Sequence, residues 1–171
     1  TIEIGRFLVS DCGYYCTRVM DTKTTNRINY AIVDGGIHQL NYYGQMMGMK
    51  IPHMRYLPKE EIQMEAEESW TICGSLCTVN DVIVKGAMLP KLKKGDCLVF
   101  EKCGAYSVTE GMALFLSREL PQVKFYTKEN DYYDEVGPLL ENYDNMYSRV
   151  LFESPHRAYM ESKIGKVPFK N

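Results

Sequence analysis

The stretch that decides how this chain is read is Ser69-Trp70-Thr71-Ile72-Cys73-Gly74-Ser75-Leu76-Cys77-Thr78-Val79-Asn80-Asp81-Val82-Ile83-Val84. Residues 69–73 and 82–84 are apolar and β-branched, and both read as strands. The eight residues between them form a turn. A glycine stands three residues before Cys77 and an acid four residues after it, so the turn presents a thiol at a strand end. Such a thiol is useful in catalysis when it is reachable and partly ionised, or when it delivers a proton to a carbanion. The commoner fate of a free cysteine is that of a small buried hydrophobe. Cys12, Cys16, Cys97 and Cys103 are read that way.

Outward from this stretch the chain repeats the same grammar. Residues 13–22 put Tyr15, Thr17 and Val19 on one face of a strand. The polar run 23–26 reads as a turn, and residues 28–34 as a second strand that Gly35-Gly36 ends, making a hairpin. Residues 37–49 hold apolar side chains at helical spacing. Gly44 and Gly48 interrupt them, so any helix there is short. Residues 51–58 read as an edge strand with prolines at its limits. Residues 59–68 read as an acidic loop, 88–96 as a basic turn and 97–102 as a strong strand. An apolar turn or short helix is expected at 110–117, a further strand at 124–127 and a helix at 132–149. Many short strands spaced by turn residues give a mainly β fold, an antiparallel β-barrel or Greek-key sandwich with a few short helices.

Composition narrows the function classes. The chain has 171 residues, a net charge of -2, 45% hydrophobic and 25% charged residues. These values are ordinary for a globular domain and point to neither a nucleic-acid surface nor a membrane span. Six cysteines and three histidines occur. None has the spacing of a metal site, and the thiols read as free in a reducing cytoplasm. If Cys12 and Cys16 shared a strand, their Cα atoms would lie ~13 Å apart, too far to bridge. Of the histidines, only His38, after the double glycine, is placed near a cleft.

Five motifs in order resemble the C-terminal part of the fold-type III pyridoxal-phosphate decarboxylases, the family of the ornithine, diaminopimelate and arginine enzymes. They are Glu3-Ile4-Gly5-Arg6 for E-P-G-R, Val33-Asp34-Gly35-Gly36, and Gly74-Ser75-Leu76-Cys77 with Asp81 for G-P-x-C-x-x-x-D. Leu89-Pro90 with Leu92, Gly95 and Asp96 follows, then Gly104-Ala105-Tyr106. The resemblance implies an alanine-racemase-like C-terminal β-domain and pyridoxal 5'-phosphate as cofactor. Glu3 is expected to pair with the pyridinium nitrogen. Arg6 and Tyr106 are expected on the phosphate. Cys77 is expected to act in trans as proton donor at Cα across a homodimer, with Asp81 shaping that contribution or binding substrate. Thr78 stands where ornithine- and diaminopimelate-type members carry an acid for the substrate's distal amine. A distal ammonium would lose a charged partner there, worth ~1.5–3 kcal/mol.

The same resemblance divides the chain. Residues 1–11 are expected to end an (α/β)8 barrel whose Schiff-base lysine is absent here, 12–150 to form the β-domain, and 151–171 an extension. The isolated chain is then expected to be inactive, completed by a barrel half and acting on a small amino-acid-like substrate in the cytoplasm. The rivals are a cofactor-less homologue acting as a binding or regulatory protein, and a pyridoxal-phosphate amino-acid racemase.

Overall fold

The structure is a computed structural model and describes residues 2–60 and 66–124. The chain divides into two compact units, Thr1–Pro121 and Gln122–Asn171. All that follows concerns the first. The strand expected at 124–127 and the helix expected at 132–149 lie outside the described residues.

Six strands form one curled sheet. They are β1 (Tyr15–Thr25), β2 (Ile28–Val33), β3 (Met54–Leu57), β4 (Glu68–Cys73), β5 (Val82–Leu89) and β6 (Cys97–Phe100), in the order β3-β6-β1-β2-β4-β5. The fold is mainly β, as the strand pattern requires. Pairing is antiparallel everywhere except between β2 and β4, which run parallel with Asn29 opposite Trp70 and Ile32 opposite Cys73. A parallel pair needs a long crossover, and residues 34–67 supply it. Helical structure is short: α1 (Gly5–Val9), then three-residue 3₁₀ turns at Ser10–Cys12, Met46–Gly48 and Phe115–Ser117. Glycines at positive φ (Gly44 at 83°, Gly48 at 68°) keep the 37–49 segment from becoming a longer helix.

Several details differ from the sequence reading. The first hairpin turns at Asn26-Arg27, not over 23–26. Both turn residues have positive φ, 50° and 62°, and Thr25 faces Ile28. A two-residue loop of this kind matches the twist of its strands, and asparagine tolerates it. β5 continues through Gly86 to Leu89 because Gly86, at φ 72°, lets β5 bulge against β4. Cys12 lies in a 3₁₀ turn and Cys16 in β1, so the two do not share a strand.

The core draws on every strand from β1 to β6 except β3, and in β5 and β6 consecutive residues are buried, so both faces of those strands are covered. Val19, Val33, Ile72, Ile83, Leu98 and Phe100 are fully enclosed. Phe100 is its centre, with the Tyr15 ring centroid at 6.0 Å and that of Tyr42 at 6.4 Å. Tyr42 also donates its hydroxyl to the Ile83 carbonyl at 2.6 Å, so β5 is tied to the crossover. The basic 88–96 turn is organised by Asp96, which is buried and accepts from Lys93 N (2.7 Å), Lys59 N (3.0 Å) and the Tyr56 hydroxyl (3.0 Å). Leu92 is buried beneath it. Truncating Phe100 to alanine removes an enclosed aromatic from a close-packed centre. The expected loss is ~3–5 kcal/mol in the urea-unfolding free energy of the chain.

Candidate active-site surface

The Cys77 turn is held by one carboxylate. Asp81 is 3% exposed. Its Oδ2 accepts the Leu76 amide at 2.7 Å, across the turn, and its Oδ1 accepts the Ile37 amide at 2.8 Å, from the loop after β2. Each of these charge-assisted bonds fixes a backbone group that would otherwise be buried unpaired. Two glycines wall the carboxylate. A Cβ on Gly36 would come within 2.6 Å of it, and one on Gly74 would come closer still. The double glycine and the cysteine turn are therefore two halves of one cradle. Ser75 N donates to the Gly35 carbonyl at 2.7 Å, and the side chain of Leu76 is buried.

Cys77 is exposed at the tip of this turn, with Val79 86% exposed beside it. The bland reading, a small buried hydrophobe, does not describe Cys77. Of the four cysteines read that way it suits Cys97 and Cys103, and Cys73 with them: burial pushes all three thiols up, that of Cys103 to about 11, whereas Cys12 and Cys16 are exposed, against that reading. Thr78 is half-buried. Its hydroxyl accepts from Asn80 N at 3.3 Å, closing the turn on itself.

A second group forms around α1. Gly5 lies under the side chain of Tyr106: a Cβ there would meet the phenol oxygen at 2.6 Å. A side chain at position 5 would push the Tyr106 phenol aside, and the guanidinium carbon of Arg6 sits 5.1 Å from the Tyr106 ring centroid. Tyr106 itself has φ 64°, a left-handed conformation that costs a non-glycine residue about 1 kcal/mol or more. Tyr43 faces Arg6 as well, at 5.3 Å. Glu110 lies 3.8 Å away and is held by Asn41 Nδ2 at 3.1 Å. Glu3 is exposed just ahead of this helix. The sequence reading named Arg6 and Tyr106. It missed Tyr43, Asn41 and Glu110, for which the one local signal is Glu110 standing a helical turn after Tyr106.

The two groups are joined by the 36–41 loop. Ile37 N reaches Asp81, the Ile37 carbonyl accepts Met112 N at 3.0 Å, and Asn41 N donates to the Ser107 carbonyl at 2.8 Å. No side-chain hydrogen bond, ion pair or ring contact among the described residues links Cys77 to Arg6 or Tyr106, so the two groups meet only through that loop. His38 lies in that loop, 1% exposed, with no hydrogen bond to Nδ1. Burial holds its imidazole below the ordinary range; the Asp81 carboxylate opposes this, and the Arg118 guanidinium adds to it.

The described residues are thus a mainly β sheet domain with a glycine-cradled cysteine turn. Residues 6–104 match the family described as pyridoxal-dependent decarboxylase, C-terminal sheet domain, and the chain belongs to that family. It is 34% identical over 124 residues to the L-glutamyl-[BtrI acyl-carrier protein] decarboxylase of Niallia circulans, covering 70% of this chain and 29% of that protein. It is 32% identical over 126 residues to the diaminopimelate decarboxylase of Deinococcus radiodurans, covering 74% and 31%. A crystal structure of diaminopimelate decarboxylase superposes with a TM-score of 0.66 at 25% identity, covering 75% of this chain and 32% of that one. The chain spans about a third of the length of these relatives. Residues 123–171 match a different family, the peptidase M3 N-terminal domain, and lie almost wholly outside the described residues. No helix among the described residues is long and apolar enough to cross a membrane.

Two outcomes test the cradle. Asp81→Ala leaves the Leu76 and Ile37 amides unpaired, at ~1–3 kcal/mol each, and is expected to lower the urea-unfolding free energy accordingly, whereas a surface change such as Glu119→Ala leaves it unchanged. Burial lowers the His38 pKa in the folded chain, so as pH falls below about 6.5 the unfolded chain takes up that proton more readily than the folded one and folding weakens. Comparing urea midpoints at about pH 7.5 and about pH 5.5, His38→Leu is expected to lose part of the wild-type decline.

Proposed function

We propose that this chain is the C-terminal sheet domain of a pyridoxal-phosphate-dependent amino-acid decarboxylase that works as a two-fold dimer. The observation that supports this most is the packing of the Tyr106 hydroxyl on Gly5 beside Arg6. It brings a guanidinium and a phenol, named by motifs a hundred residues apart, to one place. That place fits the phosphate of the cofactor. The Arg6 side chain is only 32% exposed and is flanked by Tyr43 and Tyr106, so a fork of donors is pre-oriented in a partly dry setting. Arg6 and the Tyr106 hydroxyl hold the phosphate, and Glu3 keeps the ring nitrogen protonated. The bound cofactor supplies an electron sink for the bond to the departing carboxylate.

Cys77 then holds the proton that is delivered to the substrate's Cα. Its exposure on a rigid turn suits a site completed by a second subunit. Asp81 has both oxygens on backbone amides, which favours the shaping part over a substrate contact. Thr78 offers no charge, so the substrate is a small amino acid whose distal group needs no carboxylate at that position. Residues 1–11 form the end of the barrel that carries the Schiff-base lysine, and the enzyme works in the cytoplasm.

The test uses the protein that joins this chain to its barrel half. Cys77→Ala is expected to slow carbon dioxide release by ~10²-fold or more while pyridoxal-phosphate absorbance is retained. Arg6→Ala is expected to weaken cofactor binding instead. Carbon dioxide release by the 171-residue chain alone, supplied with pyridoxal phosphate and an amino acid, would refute the division of labour. Racemisation of the substrate in place of decarboxylation would refute the reaction class.

A further inference from the structure

The cysteine turn has a grip from outside that the motif does not contain. Arg118 Nη2 donates to the Ser75 hydroxyl at 3.0 Å, and Nη1 donates to the Ser75 carbonyl at 3.3 Å. One guanidinium fork thus spans both oxygens of one residue, two positions before Cys77. Ser75 in turn donates its hydroxyl to the Asp34 carbonyl at 3.0 Å. The turn is therefore pinned on one side by Asp81, from within, and on the other by a side chain 43 residues on in the chain.

The backbone that delivers Arg118 is built for this. Leu116 and Ser117 are consecutive non-glycine residues at positive φ, 60° and 51°. Such conformations are strained for non-glycine residues and persist only where the surroundings over-determine them. The segment is anchored just beyond by the Glu119 carbonyl, which accepts Gln39 Nε2 at 3.1 Å. Gln39 Oε1 accepts the Tyr15 hydroxyl at 2.8 Å. A strained two-residue kink followed by an anchor aims the guanidinium at Ser75. Ser75 stands where the G-P-x-C motif has proline, so the turn lacks that ring's restriction on φ. An external fork on the same residue restores a fixed plane, and a lysine, with a single point of contact, restores it less well.

We propose that Arg118 is the positioning residue for the Cys77 thiol: it sets the pose of the turn without touching the reacting atoms. This rests on the part given to Cys77 above, and its test separates the two. In the 171-residue chain, amide hydrogen exchange and Cys77 alkylation by iodoacetamide are followed by peptide-resolved mass spectrometry. Arg118→Ala is expected to speed exchange at residues 76–78 by about tenfold, to change the Cys77 alkylation rate, and to leave exchange in β1 and β6 unchanged. Arg118→Lys is expected to recover part of the protection, and Ser75→Ala, which removes one acceptor, to reproduce part of the loss. Unchanged exchange at 76–78 in both Arg118→Ala and Ser75→Ala overturns the proposal, as does a loss of protection spread evenly over the sheet. In the protein joined to its barrel half, Arg118→Ala is expected to lower kcat with KM for substrate unchanged. A turn loosened in the chain with kcat unaltered would show that Arg118 clamps the turn but that Cys77 does not serve the reaction.

Discussion

The buried carboxylate of Asp81 is the constraint on which this domain depends. Its two oxygens tie the amide of Leu76 to that of Ile37, and so tie the β4–β5 turn to the loop that leaves β2. β2 and β4 are the parallel pair, whose ends no short hairpin can fasten. The carboxylate does that fastening. It is enclosed by Gly36 and Gly74, where any side chain would collide with it. An ion buried this deeply is tolerated because each oxygen receives a backbone N–H, which offsets the loss of water.

Steric close approach governs the second group. Gly5 permits Tyr106 to lie against the chain beside Arg6, and Tyr106 accepts a left-handed backbone to do so. Arg6 then sits between two tyrosine rings with Glu110 near its head. The guanidinium is weakly hydrated and stacks readily, so this setting keeps its charge while holding its direction. The two groups share the 36–41 loop, and that loop carries His38, whose burial lowers its pKa. That loop is the common strut of the cysteine turn and the Arg6–Tyr106 group.

Much of this was legible in the residues. Alternation and turn residues marked the six strands, and Pro52 and Pro58 marked β3 as an edge, which pairs with β6 alone. The glycine–cysteine–acid spacing located the turn. What misled was polarity without burial. Lys23, Thr24 and Thr25 read as a turn because they are polar, yet they extend β1, since a strand end exposed on both faces needs no apolar alternation. The strand read over 82–84 runs on to Leu89, because Gly86 bulges instead of ending it.

The sequence by itself determined which chemical groups are present and which local turns they occupy, because those follow from bonded neighbours a few residues apart. The ordered resemblance of five motifs to a decarboxylase family, rather than any one turn, singled out Glu3, Arg6, Cys77, Thr78, Asp81 and Tyr106. Only the tertiary structure decided that Asp81 points inward to two amides, that Tyr43 and Glu110 join Arg6, and that Arg118 reaches back to Ser75. Those meetings are set by how the sheet curls and which faces it buries, a free-energy balance over the whole domain that no short window of residues contains.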